Sequence, residues 1–196
     1  ISLSGEYVNS WININANVYS NWFRNKIEGM WSNDQTELHY INIGKSRLAG
    51  VETMCKIQIN RHINVHGAYN YLYTSKDADG VRLSSSSPHS GNIRAEYNTR
   101  IPRYATVVNL SGNIMGKKKF DVLDELEIDG KKVEAYYQAK VNPYCLWDLT
   151  VSQYIMQNLR ITAGITNLFD YTSDRVTFNT STSPGRNYFI ACNYTL

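Results

Sequence analysis

The side chains able to do chemistry are few and scattered. Four histidines are present, His39, His62, His66 and His89, with three cysteines, Cys55, Cys145 and Cys192. A zinc or haem site needs ligands at short, repeated spacing, such as a CxxC pair or two histidines one helical turn apart. No such spacing occurs. The serine run Ser84–Ser87 stands before Pro88 with no GxSxG elbow around it, which is ordinary loop composition. The carboxylates Asp121, Asp124, Glu125, Glu127 and Asp129 crowd one stretch without the EF-hand order. They are expected to form a solvated loop that attracts cations. The sequence thus predicts no enzyme, no cofactor and no metal centre.

The elements that carry these residues alternate with period two. "WININANVY" sets Ile12, Ile14, Ala16 and Val18 against Asn13, Asn15 and Asn17. "CKIQIN" and "INVHGAYNYLY" repeat the pattern, with Tyr69, Tyr71 and Tyr73 in the apolar row. "NIRAEYNTRI", "RYATVVNLSGNIM", "VEAYYQAKV" and "NLRITAGITNLF" follow. The last segment sets Tyr188, Ile190, Cys192, Tyr194 and Leu196 against Asn187, Phe189, Ala191, Asn193 and Thr195. Together with "ISLSGEY" and residues 38–60 this predicts about nine strands, most longer than the usual five or six residues. The cysteines fall in the apolar rows, beside Ile57, Trp147 and Ile190, as small hydrophobes.

Composition is not obviously that of a soluble domain. The 196 residues include 15 Tyr, 4 Trp and 5 Phe, and the net charge is only +3. Mean hydropathy is −0.41, and no run of about 18 apolar residues exists to cross a bilayer as a helix. A transmembrane β-barrel hides its signal in alternation, because every second residue faces a polar lumen. The predicted links also alternate in length. Short ones lie near Val8–Ser10, Arg61-His62, Ile101-Pro102 and Tyr154–Gln157; long ones lie near Glu28–Glu37, Ser75–Pro88, Gly116–Lys132 and Tyr171–Pro184. Short turns on one side and long polar loops on the other are the habit of outer-membrane barrels. Tyrosines near strand ends suit an interfacial girdle. A soluble barrel would bury the apolar row and wet the polar one, and alternation alone allows that reading too. The lysine run Lys117–Lys119 lacks interleaved aromatics, so no nucleic-acid partner is expected.

The C-terminal residues resemble a known family. Ala163-Gly164-Ile165, Asn167-Leu168-Phe169-Asp170 and Pro184-Gly185-Arg186, followed by an aromatic-rich final strand, look like the end of a TonB-dependent outer-membrane transporter. "YINIGKSRLAGVE", carrying Tyr40, Asn42, Gly50 and Glu52, resembles a mid-barrel strand of the same family. "NWFRNKIEGM" and "SPHSGNIRAEY" are similar to two further family segments, and the matches keep the family's order over nearly the whole chain. Gly164, Asn167 to Asp170, Pro184, Gly185 and Arg186 are expected to shape barrel closure rather than touch ligand. Gly50 is expected to mark a bulge or a close backbone approach.

The resemblance implies an all-β, transmembrane antiparallel β-barrel in the bacterial outer membrane, with this chain the C-terminal part of a barrel of about twenty-two strands. Ile1 opens in strand-like sequence without an initiator Met, so a removed export signal or a longer parent chain is expected. The implied function is active import of a scarce nutrient bound at the outer loops; a passive or structural outer-membrane barrel is the alternative, and a soluble β-barrel binding module the third. The implied partners are outer-membrane lipid and lipopolysaccharide, the protein's own plug domain and N-terminal strands, the inner-membrane TonB complex, and a small-molecule, glycan or peptide substrate. A surface lipoprotein lid would suit a glycan or peptide importer. Glu52, Lys56, Arg94, Glu96, Arg100, Glu134, Lys140 and Arg160 are expected in lumen phase, paired with one another and with the plug.

Overall fold

The computed structural model describes residues 1–32, 37–75, 87–128, 131–156, 158–173 and 185–195. Eleven strands are found among them: β1 (Ser2–Val8), β2 (Ile12–Trp31), β3 (Leu38–Gln58), β4 (Ile63–Thr74), β5 (His89–Asn98), β6 (Thr106–Met115), β7 (Lys118–Ile128), β8 (Lys131–Val141), β9 (Tyr144–Ile155), β10 (Leu159–Thr166) and β11 (Asn187–Tyr194). Nine form one antiparallel meander in the order β1-β2-β3-β4-β5-β6-β9-β10-β11, while β7 and β8 pair with each other. β1 and β11 lie at the two edges of the nine-stranded sheet.

The expected nine strands are matched in number, but one member differs. Val133–Val141 lies in β8, on the separate hairpin, and the sheet position goes to β9. The stretch Gly116–Lys132, expected as a loop, is mostly β7, so Asp121, Asp124, Glu125 and Glu127 are strand residues; Asp129 lies outside the described residues. Glu28 to Trp31 likewise continue β2 rather than forming a link. The β7 sequence reads as a loop because Asp124 interrupts its apolar row of Phe120, Val122, Leu126 and Ile128. Glu134 and Lys140 therefore belong to the hairpin and not to the lumen wall, and Arg100 sits in the β5–β6 turn with φ 52°.

Register carries the apolar rows from strand to strand. Leu3 pairs with Val18 and Val18 with Val51; Val51 pairs with Tyr71. Further along, Ala95 pairs with Leu110, Leu110 with Leu149, and Leu149 with Ile165, which pairs with Tyr188. One whole face is therefore apolar, and it is not packed against anything: Leu3 is 77% and Ile190 81% exposed, and Val141 is the buried apolar side chain among the described residues. A sheet in water would leave this face as an aggregation surface; in a bilayer it is the lipid contact. Tyr7, Tyr97 and Tyr194 cap the rows at the short-turn end, and Tyr71, Tyr73 and Tyr188 at the other. From Ile63, the partner of Tyr97, to Tyr71 is eight residues along β4, or roughly 26 Å at the usual strand rise. That matches the apolar band of such barrels once tilt is allowed for.

Three of the four short turns use one device. The side-chain oxygen of Asn9 accepts the backbone N–H groups of Trp11 and Ile12. Asn60 does the same for His62 and Ile63, and Asn98 for Arg100. Asparagine is chosen at such corners because its amide replaces a backbone turn bond. At the opposite end β2 and β3 outrun their neighbours. Beyond Tyr19, the last partner of β1, and Leu48, the partner of Thr74, they pair only with each other up to Trp31 and Leu38. This ribbon stands about 35–40 Å beyond the sheet at the usual rise per residue.

The face assignment is testable at mid-strand. Leu110→Arg, on the apolar face of β6, is expected to cost about 2–4 kcal/mol in a bilayer, and Asn109→Arg, on the polar face, less than about 1 kcal/mol. Reversible denaturant unfolding in lipid vesicles checks both; equal costs would overturn the assignment.

Candidate functional site

The opposite face is polar and concave. Asn15, Asn17, Glu52, Asn70, Asn92 and Asn113 line a hollow of about 590 Å³, with Met54, Met115 and Tyr144 among its apolar walls. Register builds this lining: Asn17, Glu52, Asn70 and Ser90 are successive cross-strand partners, as are Asn15, Met54, Ala68, Asn92 and Asn113. Asn17 donates to the Glu52 carboxylate at 3.4 Å. Amides suit such a wall because each is donor and acceptor without charge. A hollow of this size and lining can hold a polar ligand or another protein segment.

Below that ring, Lys56, His66 and Arg94 form one cross-strand row. Arg94 donates to the Asn109 side-chain oxygen at 2.9 Å and lies 3.6 Å from Glu96. Arg160 sits 5.9 Å over the Tyr154 ring. Thus Glu52, Lys56, Arg94, Glu96 and Arg160 share the polar face, as their phase predicts. The histidines stay apart. His39 meets Glu37 at 3.3 Å, His62 braces the turn against the Asn98 carbonyl at 2.8 Å, and His89 opens β5 instead of lying in a loop, 2.7 Å from the Tyr69 hydroxyl. No group of three or more potential metal ligands occurs among the described residues.

The signature residues near the C-terminus converge at the long-loop end of β9, β10 and β11. Asn167, buried and with φ 52°, ends β10. Its N–H donates to the Asp148 carboxylate at 2.9 Å. Its side chain donates to the Tyr171 carbonyl at 2.7 Å and accepts the Tyr171 N–H at 2.8 Å. The Leu168 N–H donates to the Trp147 carbonyl at 2.6 Å. Asp170, with φ 57°, accepts the Arg186 N–H at 2.7 Å, and Gly185 beside it has φ 89°. A hydrogen bond to Tyr188 raises the pKa of the Arg186 guanidinium. Phe169 is exposed. Pro184 lies outside the described residues, as does Leu196. Gly164 faces Phe189, and any Cβ there would overlap the Phe189 ring.

The mid-barrel signature does not gather at one place. Tyr40 and Asn42 are on the projecting ribbon, opposite Gly29 and Ile27, whereas Gly50 and Glu52 are in the sheet. A Cβ on Gly50 would come within 2.5 Å of the Tyr71 carbonyl and 2.6 Å of the Tyr19 hydroxyl. The register on both sides of Gly50 is unbroken, so it marks a close approach and not a bulge.

The family model described as TonB dependent receptor-like, beta-barrel matches residues 1–168. The chain belongs to this family. Its place is the bacterial outer membrane, and its apolar face meets lipid. Solved structures share the fold at low identity. The siderophore receptor PirA from Acinetobacter baumannii is 16% identical with a TM-score of 0.72, over 98% of this chain and 31% of that one. The ferripyoverdine receptor of the outer membrane of Pseudomonas aeruginosa, bound to ferripyoverdine, is 18% identical with a TM-score of 0.69, over 97% and 26%. The copper transporter OprC is 15% identical with a TM-score of 0.72, over 98% and 30%. The chain spans about a third or less of the length of these structures.

The Asn167 contacts generate a stability prediction. Asn167→Ala strands the Tyr171 N–H and carbonyl and is expected to cost roughly 2–4 kcal/mol. Asn167→Asp keeps the acceptor, sits near Asp148, and is expected to lose a comparable amount. Heat-modifiable gel mobility and unfolding midpoints of the complete receptor check both; a loss below about 0.5 kcal/mol for Asn167→Ala would show that the clamp is dispensable.

Proposed function

We propose that this chain is the C-terminal barrel segment of an active outer-membrane importer with a barrel of about twenty-two strands, one that binds a scarce nutrient from outside and moves it to the periplasm without chemical change. The polar hollow of Asn15, Asn17, Glu52, Asn70, Asn92 and Asn113 supports this reading most directly, because it gives the outer-membrane barrel a wet, ligand-sized inner wall. In the whole protein that wall faces the plug domain, and the plug's release is driven by the TonB complex of the inner membrane. Fold relatives include siderophore receptors and a copper transporter, so a ferric chelate or a copper ion is among the cargo candidates. The role of Gly164, Asn167, Leu168, Phe169, Asp170, Pro184, Gly185 and Arg186 in this reading is to lock the last strands together. Gly50 lets β3 and β4 approach closely, and Tyr40 and Asn42 stand on the outer ribbon, with Glu52 in the hollow.

The test is uptake by the complete receptor in a receptor-deficient bacterium. Saturable accumulation of a labelled ferric siderophore or copper is expected, falling to background when the TonB complex is deleted. Leakage of small solutes that rises in proportion to concentration and ignores that deletion would replace this reading with a passive pore.

A further inference from the structure

The signature turn near the C-terminus reaches the edge of the polar hollow. β9 opens with Tyr144 at the long-loop end, in the polar-face phase: Glu52, Asn70, Ser90, Met115 and Tyr144 are successive cross-strand partners. Tyr144 lines the hollow beside Met115, and Leu146 follows two residues later. The Tyr144 ring is stacked on that of Tyr171, with centroids 5.0 Å apart and planes 9° from parallel. Tyr171 in turn is held through its backbone. The Asn167 amide donates to its carbonyl at 2.7 Å and accepts its N–H at 2.8 Å. Asn167 is itself buried and tied to Asp148. Asp148, Asn167, Tyr171 and Tyr144 thus form one chain of contacts from the ladder to the hollow. Locking the last strands accounts for the Asn167 bonds but not for the ring pair.

The hollow has two unlike ends. On β2 to β4 its lining includes Asn17, Glu52 and Asn70; on β6 and β9 it includes Met115, Tyr144 and Leu146. At the polar end the Asn70 side-chain oxygen is buried and has no hydrogen-bond partner among the described residues. A buried acceptor is costly to leave unpaired, so this place calls for a donor. Asn70 and Tyr144 stand three strands apart, or roughly 14 Å at the usual strand spacing. A single small ring does not bridge that distance. A cargo of several rings with hydroxyl donors does: one ring lies on Tyr144 while a hydroxyl reaches the Asn70 oxygen. A ring already fixed by its neighbours loses little freedom when cargo meets it.

We propose that Tyr144 is a cargo-contacting residue that selects for ring-bearing cargo, and that Asn167 and Tyr171 are the positioning residues that hold its ring. Sugar rings and catechol rings are two sources of the same flat, hydroxyl-edged chemistry. The residues that lock the last strands then also shape the wall the cargo meets. The inference rests on the import reading and narrows its cargo.

The experiment measures binding of three probes to the complete receptor in detergent: a ferric tris-catecholate, an unbranched glucose hexasaccharide and a ring-free ferric trihydroxamate. Stacking on an aromatic ring is worth a factor of roughly two to twelve, so Tyr144→Leu is expected to weaken the bound ring probe about fivefold. Tyr144→Phe keeps the ring and is expected to recover most of that loss. Tyr171→Leu and Asn167→Ala free the Tyr144 ring without removing it, and are expected to weaken the same probe roughly two- to threefold. Gly164→Ala is the control. It strains the same strand against the Phe189 ring, and its folded fraction is expected to bind as the unaltered receptor does. Binding of the catecholate or of the hexasaccharide supports the inference alike and names the source of the rings. Unchanged affinity in Tyr144→Leu, or binding of the trihydroxamate alone, would overturn the inference and leave import standing. An equal loss in Gly164→Ala and Asn167→Ala would overturn the positioning role. A receptor that binds no probe and shows no TonB-dependent uptake would remove the import reading, and this inference with it.

Discussion

In hydrocarbon there is no water to satisfy a peptide group, and each lone N–H or C=O costs several kcal/mol. That constraint sets the architecture of this chain. Every strand of the nine-stranded sheet between the two edges is paired on both sides within the band of apolar side chains, and the register runs without a slip from β1 to β11. At the short turns the backbone leaves the ladder, and there Asn9, Asn60 and Asn98 supply the missing acceptors. The two departures from sheet pairing, the β7–β8 hairpin and the upper part of β2 and β3, both lie at the long-loop end. There water replaces the missing partners, and a two-stranded ribbon is tolerated.

Once pairing is obligatory, side chains decide only which face meets which solvent. A one-residue slip would exchange the faces of a strand, so the strict alternation of Ile14, Ala16 and Val18 with Asn13, Asn15 and Asn17 also fixes the register. Glycine is spent where backbones or rings must come close. Gly112 lies against the Trp147 ring and Gly164 against that of Phe189, each as a direct cross-strand partner. A bulky ring covering a glycine shields the ladder bonds that the glycine leaves exposed.

Fold class, strand phase and loop sorting were legible in the sequence because each is a period-two or turn-residue signal. What alternation does not encode is partnership. Val133–Val141 alternates as cleanly as any barrel strand, yet its partner is β7 and it leaves the sheet. In "YCLWDLTVSQYI" the apolar row Cys145, Trp147, Leu149 and Val151 is legible, but Leu146 interrupts the polar one, so the segment alternates less cleanly than the strand that leaves the sheet. At the signature, Asn167 and Asp170 could be read from resemblance as turn residues facing Gly185 and Arg186. Asp148 could not, since it is a single carboxylate within a strand whose partner lies 19 residues later.

The low identity to receptors of different cargo, 15–18% at TM-scores near 0.7, shows how little of the sequence this barrel needs. Lipid asks only for an apolar alternate row, and the ladder asks only for the absence of strain. Both requirements are met by many residues, so both leave the polar row free to vary. The amide-rich wall is consistent with that freedom. Asparagine holds no fixed charge that a neighbour must balance, whereas Arg94 on the same face already needs Asn109 and Glu96. The groups whose replacement leaves the ladder and the lipid face untouched are the polar-face residues of β2 to β6, while the outer wall answers to the membrane alone.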